Sequence, residues 1–513
     1  MNDKIIRILQ VGDYNWLDQV KLADQSVEWH FVTNENVSNY ITQLLKDDNE
    51  KPEFEAILLT ESDGLKNYEV IFKIADPYTI LIDENQIVKD SQLLNLLTIY
   101  HAQKIDMKNI DQVIYDLSKY FFVGQYGEKL NISQVQISPN YTGQVQYNGN
   151  TNLQLTGNFG RQLIPILSWQ YNIAADSKYN HEIWLEYEAS KDAMIALNVQ
   201  MIAAGTSHIL KQWEVLEHDM YAPLLIENHA NSDYYLSVSL KIQGEGYVKV
   251  GNLHNRLARK NYGQLLLGGK RLVDNHHEEI MTYFHPGDMQ PPLNVYFSGY
   301  RSAEGFEGYW MMKNLGAPFL LIADPRLEGG AFYVGSAELE NDVVEIIQQK
   351  ITELGFTTKQ LILSGLSMGT FGALYYANQL EPRAIIVGKP LVNLGNIAAN
   401  EKLVRPNGFP TSLDLLLSMT GGTSIEHVDR LNQRFWERFN HANLDETVLA
   451  IAYMKDDDYD VTAYHDLLTS LSQSRAIVIS KGIAGRHNDD SPAINKWFFA
   501  QYQRILADKF PRK

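Results

Sequence analysis

A serine flanked by two glycines lies between an apolar run and a segment of small residues. Residues 361–377 read LILSGLSMGTFGALYYA and contain a G-x-S-x-G pattern centred on Ser367. In this pattern the serine occupies a sharp strand-to-helix turn that exposes its hydroxyl, and glycines keep the turn free of collisions. The first N–H groups of the following helix, that of Met368 among them, point at a developing oxyanion. We therefore predict that Ser367 is an acyl-transfer nucleophile and Met368 an oxyanion donor.

Two later loops supply an acid and a base in the order Ser, acid, His that α/β-hydrolases use. The apolar run TVLAIAYM is followed by KDDDYD, and the run RAIVISKG is followed by IAGRH. Loops that follow parallel strands meet at the carboxyl edge of the sheet. We expect His487 to exchange a proton with Ser367 while a carboxylate orients the imidazole. His465 is the rival base.

The acid is one of four aspartates in the first of these loops. Asp457 is our choice because it lies three residues beyond the expected strand end at Met454. Asp456, Asp458 and Asp460 stay open, because the register of a loop cannot be read from one sequence.

A second oxyanion donor is expected in the loop after the apolar run PLNVYF. Gly299 and Tyr300 follow that run, so their backbone N–H groups are the candidates. The alternative is an ordinary turn at the end of a strand. One donor of this kind lowers the barrier by roughly 3–4 kcal/mol.

Length, composition and charge exclude several classes of protein. The chain has 513 residues, of which 45% are hydrophobic and 21% charged, as in a globular protein of two or three domains. A net charge of -18 argues against nucleic-acid binding. The absence of cysteine excludes disulfides and thiolate metal sites. The N-terminal apolar run is too short for a secretory signal, so we expect a cytoplasmic protein. No motif indicates a cofactor or a metal site, and we expect neither.

Three zones predict the organisation of an α/β protein. Residues 1–127 alternate apolar strands with helical segments and predict a small N-terminal α/β region. In residues 128–284 apolar and polar residues alternate with period 2, which predicts a jelly-roll-like β-sandwich. Its aromatic residues fit either a glycan-binding module, through stacking on sugar rings, or ordinary packing. Residues 285–513 predict an α/β-hydrolase catalytic domain with an insertion near 391–445 that could form a lid.

The whole chain resembles the hydrolase-like component of the accessory Sec system, an accessory secretory protein family of Gram-positive bacteria. The similarity runs from IIRILQVGDYNW through the β-rich middle to LSGLSMGTFGALYYANQ and GIAGRHNDDSPAINKWF. The resemblance implies a cytoplasmic protein that assists export of serine-rich repeat glycoprotein adhesins and is peripheral at the membrane through the translocase. Its implied partners are two sister accessory secretory proteins, the accessory Sec motor ATPase and the glycosylated adhesin.

The resemblance also implies a reaction. It is the O-acetylation of N-acetylglucosamine residues on the adhesin, through a triad that falls on Ser367, Asp457 and His487. The acid of this family can be Glu, whereas this chain has several adjacent aspartates. The residues by themselves predict a serine acyl-enzyme and leave open whether water or a sugar hydroxyl accepts the acyl group. A non-catalytic scaffold of the export complex and a free-standing carbohydrate esterase are the alternatives.

Overall fold

The computed structural model describes residues 5–18, 27–47, 53–61, 65, 67–228, 232–404 and 408–512. Its strands are β1 (Ile6–Val11), β2 (Val27–Val32), β3 (Ala56–Leu59), β4 (Ile80–Asp83), β5 (Gln103–Ile105), β6 (Gly127–Leu130), β7 (Val135–Ile137), β8 (Gln144–Asn148), β9 (Asn152–Trp169), β10 (Ile173–Ala175), β11 (His181–Ala189), β12 (Ala193–Ala203), β13 (Ile209–Leu216), β14 (Leu224–Ile226), β15 (Tyr234–Leu257), β16 (Gly263–Gln264), β17 (Leu266–Leu267), β18 (Lys270–Val273), β19 (Glu279–His285), β20 (Leu293–Phe297), β21 (Phe319–Ala323), β22 (Leu361–Leu366), β23 (Ala384–Gly388), β24 (Val448–Met454) and β25 (Ile477–Ile483).

The helices fall mainly in the first and last thirds of the chain. The α-helices are α1 (Val37–Asp47), α2 (Ile71–Ile74), α3 (Ser91–Ile99), α4 (Ile110–Tyr120), α5 (Tyr309–Leu315), α6 (Ala337–Glu353), α7 (Met368–Tyr375), α8 (Ala377–Leu380), α9 (Leu394–Leu403), α10 (Thr411–Thr420), α11 (Ile425–Phe439), α12 (Ala463–Leu471) and α13 (Ser491–Lys509). Short 3-10 helices cover Trp16–Asp18, Tyr68–Val70, Ile132–Gln134, Glu217–Asp219, Lys260–Tyr262 and Thr358–Gln360. None of the helices in the described ranges has the length and apolar character that crossing a bilayer requires.

The first sheet is parallel, with strand order β2-β1-β3-β4-β5. Alternate residues of its strands enter two separate hydrophobic cores, one on each face, because helices cover both faces. The sequence pattern of residues 37–48 predicts a helix, and α1 covers Val37–Asp47 of that range. The pattern of residues 92–104 predicts a second helix, but α3 ends at Ile99 and the chain turns at His101, whose φ is 50°, into β5.

The second sheet is antiparallel and built on the long strands β9 and β15. The sequence predicts two strands on either side of Gly244 and Gly246, but β15 continues through them. Both glycines have positive φ, 92° and 119°, so the strand bends there instead of ending. The half of β15 before the bend pairs with β12, and the half after it pairs with β11 and β6. Residues from both halves share one hydrophobic core.

The third sheet has the order β18-β19-β21-β20-β22-β23-β24-β25. β18, β19 and β21 are antiparallel neighbours, and the remaining pairs are parallel. The sheet begins at Lys270, upstream of the boundary expected at residue 285, because the antiparallel pair at its start continues the β-rich pattern of the preceding zone. The segment between β23 and β24, expected as an insertion, holds helices α9, α10 and α11.

Candidate active site

Ser367 lies at a strained turn between β22 and α7. Its φ of 51° and ψ of -120° are unusual for a residue with a side chain, and its N–H donates to Gly388 O at 2.8 Å. The two flanking glycines allow the close approach that this turn needs. A Cβ at Gly365 would lie 2.2 Å from Gly369 O, and one at Gly369 would lie 2.0 Å from Phe297 O. The G-x-S-x-G spacing is therefore required by the packing of this turn.

The structure brings together the hydroxyl, imidazole and carboxylate that the sequence singles out. Ser367 Oγ lies 2.8 Å from His487 Nε2, and His487 Nδ1 lies 2.8 Å from Asp457 Oδ2. The imidazole is 1% exposed and the carboxylate 8%. Because a carboxylate can only accept, it holds the proton on Nδ1 and leaves Nε2 to accept from the serine. This geometry permits proton transfer from the hydroxyl as it attacks a carbonyl carbon.

The other three aspartates of the acid loop have different contacts. Asp458 Oδ1 accepts the backbone N–H of His487 at 3.1 Å, and Asp456 Oδ2 accepts that of Gly485 at 3.2 Å. Asp460 is buried and accepts the N–H groups of Val392 and Asn393, at 2.8 and 2.7 Å. Two of the aspartates therefore hold the histidine loop, and the third ties the acid loop to the start of the helical insertion.

Burial raises the pKa of Asp460, and the hydrogen bonds from Asn393 oppose that rise. The rival base His465 lies on α12, while the hydrogen-bonded partner of the Ser367 hydroxyl is the imidazole of His487.

The expected oxyanion donors are placed unequally. Met368 is the first residue of α7, so its N–H has no acceptor within the helix. The N–H of Gly299 donates to Glu307 Oε2 at 2.7 Å, which removes Gly299 as a donor in this arrangement. For the N–H of Tyr300 there is no backbone acceptor among the described residues. Met368 and Tyr300 are thus the pair that this geometry leaves available.

Two aromatic side chains that the sequence analysis did not single out lie at the site, one against the imidazole and the other behind it. The ring of Tyr459 is centred 4.5 Å from that of His487, and Phe409 lies 5.5 Å from Tyr459 and 5.4 Å from Tyr300. The Tyr459 hydroxyl donates to Gly408 O at 2.8 Å. Phe409 precedes α10, so the helical insertion contributes one wall of the site. Nothing local in the sequence marks Phe409, which is 78 residues from His487 along the chain.

A buried lysine is a further charged group near the site. Lys389 follows β23 directly with φ 59°, and its Nζ lies 3.2 Å from Ser491 Oγ at the start of α13. Burial lowers the pKa of Lys389, while the negative charges of Asp457 and Glu307 oppose that effect.

One buried cluster in the described part of the chain has spacing suited to a metal ion. Its potential ligands are His254, Glu279 and Glu304, whose ligand atoms lie within 4.8 Å of one another. The guanidinium of Arg256 lies between the two carboxylates and donates to both. It therefore takes the place that a metal cation would fill, and the cluster is an ion-pair network between β15 and the third sheet.

Comparison with known proteins identifies the family. The family model for accessory secretory protein 2, described as "Accessory Sec system GspB-transporter", matches residues 6–512. The accessory Sec system protein of this name from Streptococcus gordonii is 42% identical over 509 residues, covering 99% of each chain. Its counterpart from Staphylococcus aureus (strain NCTC 8325 / PS 47) is 43% identical over 511 residues, covering 99% of this chain and 97% of that one.

A solved structure is similar to this chain over its whole length. It is a chain of the glycosylation-associated Gap123 complex from Streptococcus agalactiae, with a TM-score of 0.91 and 41% identity. The match covers 99% of this chain and 100% of that chain. On this evidence the chain belongs to the accessory secretory protein 2 family of the accessory Sec system.

Proposed function

We propose that this protein is a serine O-acetyltransferase that acetylates N-acetylglucosamine residues of serine-rich repeat glycoproteins during their export. The observation that carries the proposal is the hydrogen-bonded series from Ser367 through His487 to Asp457, with 2.8 Å at each link. The strained serine turn supports the same chemistry. The order of the third sheet supports an α/β-hydrolase domain that begins at Lys270 rather than at 285, and the shared core of the bent antiparallel strands supports a β-sandwich before it.

In the first half of the reaction the donor acylates the enzyme. Ser367 Oγ attacks the acetyl carbonyl as His487 Nε2 takes its proton, and Asp457 stabilises the imidazolium. The carbonyl oxygen becomes an oxyanion that accepts hydrogen bonds from the N–H groups of Met368 and Tyr300. Collapse of this intermediate breaks the bond to the leaving group, which receives the proton from His487.

In the second half a sugar hydroxyl takes the place of the leaving group. His487 Nε2 removes the proton of that hydroxyl as its oxygen attacks the acetyl-serine carbonyl. The second tetrahedral intermediate then breaks the bond to Ser367 Oγ, and the imidazolium returns the proton to the serine. Water in place of the sugar would give hydrolysis, so the outcome depends on which hydroxyl reaches the acyl-enzyme.

Assembly is a second candidate function, and it is compatible with the first. The chain matches a member of the Gap123 complex over its full length, which supports its assembly with two sister accessory secretory proteins. On this proposal the protein acts in the cytoplasm and meets the membrane, the motor ATPase and the adhesin within the translocase. As a pure scaffold it would hold these partners without any use of Ser367.

Ser367→Ala separates catalysis from assembly. We expect the ester hydrolysis rate of the variant to fall ~10³-fold or more. Adhesin glycans should carry no added acetyl groups, and the complex should still form. Mass spectrometry of the glycans and co-purification of the sister proteins are the measurements. Ser472→Ala, a change at an exposed position after α12, is the control. Equal glycan acetylation in Ser367→Ala and wild-type cells would remove the enzymatic role and leave the scaffold.

A further inference from the structure

A cavity of about 700 Å³ lies between the first and third sheets, and its lining extends to the residue before the nucleophile. Its volume is in the range of small-molecule binding sites. Leu366, the residue before Ser367, lines it. Glu307 lines it too, and its carboxylate accepts the N–H of Gly299 in the loop after β20, the oxyanion loop. The opposite wall comes from the N-terminal region, through Phe54 and Thr79. The cavity therefore borders both the serine turn and the oxyanion loop.

The lining combines a largely apolar floor with one exposed aromatic ring. The floor includes the buried rings of Tyr283, Tyr296 and Phe306. Trp310 also lines the cavity and is 60% exposed. Lys313 Nζ lies 4.9 Å from the centre of the Trp310 ring. Such an exposed indole suits the apolar face of a ligand ring, whose binding would remove this surface from water.

The charges around the cavity disfavour an anionic ligand. Its lining carries four carboxylates and two guanidinium groups within the described residues: Glu53, Glu55, Asp76, Glu307, Arg259 and Arg301. Arg259 is buried and donates to backbone carbonyls, including Leu265 O at 3.0 Å and Gly124 O at 2.7 Å. Lys313 pairs with Asp76 at 2.7 Å. The four carboxylates of the lining outnumber its two guanidinium groups, so the lining repels a phosphate on balance, whereas carboxylates accept hydrogen bonds from sugar hydroxyls.

We propose that this cavity is the acceptor subsite, that it holds an uncharged pyranose against Trp310, and that it excludes phosphate-bearing acyl donors. The inference rests on the proposed acetyl transfer, because the acceptor must lie next to the acyl-serine. It assigns the N-terminal region a part in binding the sugar. It also means that the acceptor sugar does not bind to the aromatic side chains of the β-rich region.

The test measures how the acyl-enzyme divides between sugar and water. The enzyme is acylated with p-nitrophenyl acetate in the presence of an N-acetylglucosamine-bearing glycopeptide, and acetylated glycopeptide is counted per nitrophenolate released. We expect Trp310→Ala to lower this ratio about tenfold. Trp213→Ala is the matched control, since Trp213 lies in the β-rich region with Lys211 Nζ 4.7 Å from its ring centre. The control should change the ratio less than twofold.

A binding measurement keeps the inference separate from the chemistry. In Ser367→Ala protein, calorimetric titration with an N-acetylglucosamine oligosaccharide should give an affinity that falls about tenfold when Trp310→Ala is added. Coenzyme A, as a phosphate-bearing probe, should not compete. Unchanged affinity on removal of Trp310, or displacement of the sugar by coenzyme A, would overturn the subsite. A protein with intact Ser367 that binds the sugar but transfers no acetyl group to the glycopeptide would overturn the proposed function instead.

Discussion

Two buried histidines of this protein each contact a carboxylate, but their second ring nitrogens face different groups. His487 has Asp457 on Nδ1 and the neutral hydroxyl of Ser367 on Nε2, at 2.8 Å each. His254 has Glu304 on Nδ1 at 2.5 Å and Glu186 on Nε2 at 3.0 Å. One carboxylate fixes the tautomer and leaves a base, whereas two carboxylates favour a permanent imidazolium.

The surroundings of His254 agree with a fixed cation. Burial opposes its charge, but the carboxylates of Glu304 and Glu186 outweigh burial and raise the pKa of His254 to about 9. Arg256 and Arg271 pair with Glu279 in the same network. Three cations thus face three carboxylates, and the group joins β15 to the third sheet. The number of acidic neighbours therefore decides whether a buried histidine keeps one ring nitrogen as an acceptor or has both nitrogens bound to carboxylates.

The largest effect should come from removing the single carboxylate of the first histidine. Asp457→Asn lets an amide donate to Nδ1, which places the imidazole proton on Nε2 and removes the base. We expect ester hydrolysis to fall by about 10³–10⁴-fold, with little change in melting temperature. Asp458→Asn keeps an oxygen acceptor for the His487 N–H and should cost less than tenfold. Equal losses in the two variants would contradict the assignment of Asp457.

The second prediction is that loss of His254 reduces stability, whereas loss of His487 reduces activity. His254→Gln removes the only cation that pairs with Glu186 in this network and one of the two that pair with Glu304, and should lower the free energy of unfolding by roughly 3–5 kcal/mol. His487→Gln should abolish hydrolysis and change stability far less, because the second nitrogen of the His487 ring faces a neutral hydroxyl rather than a second carboxylate. Calorimetric melting and ester hydrolysis of both variants are the measurements. A similar drop in melting temperature for both would show that the two sites do not differ in this way.

The smallest effect is the pH dependence of stability. The pKa of His254 is raised from 6.5 to about 9 on folding, so its stabilisation is complete below about pH 6.5 and is lost as the pH rises toward 9. A shift of this size corresponds to about 3 kcal/mol. We expect the melting temperature of the wild type to fall over this pH range more than that of His254→Gln. Parallel pH profiles for the two proteins would remove His254 as the cause.

Much of the site was predictable because its residues follow strands of one sheet. The apolar runs that end at Leu366, Met454 and Ile483 are parallel strands, so the loops after them meet at one edge. The choice among four aspartates was not decided by the sequence, since their spacing is equally compatible with several loop conformations. The contacts of Gly299 also required coordinates, because Glu307 reaches it through the packing of a loop eight residues away.

The sequence by itself determined the strand and helix periodicity of the sheets and the serine turn that glycines at 365 and 369 permit. These features depend on local sterics and on which faces are apolar, and both are properties of neighbouring residues. Only the tertiary structure decided which carboxylate faces His487, that Tyr459 packs on the imidazole with Phe409 behind it, and that a cavity opens between two distant regions. Those arrangements join residues far apart in the chain, and their distances follow from packing rather than from spacing.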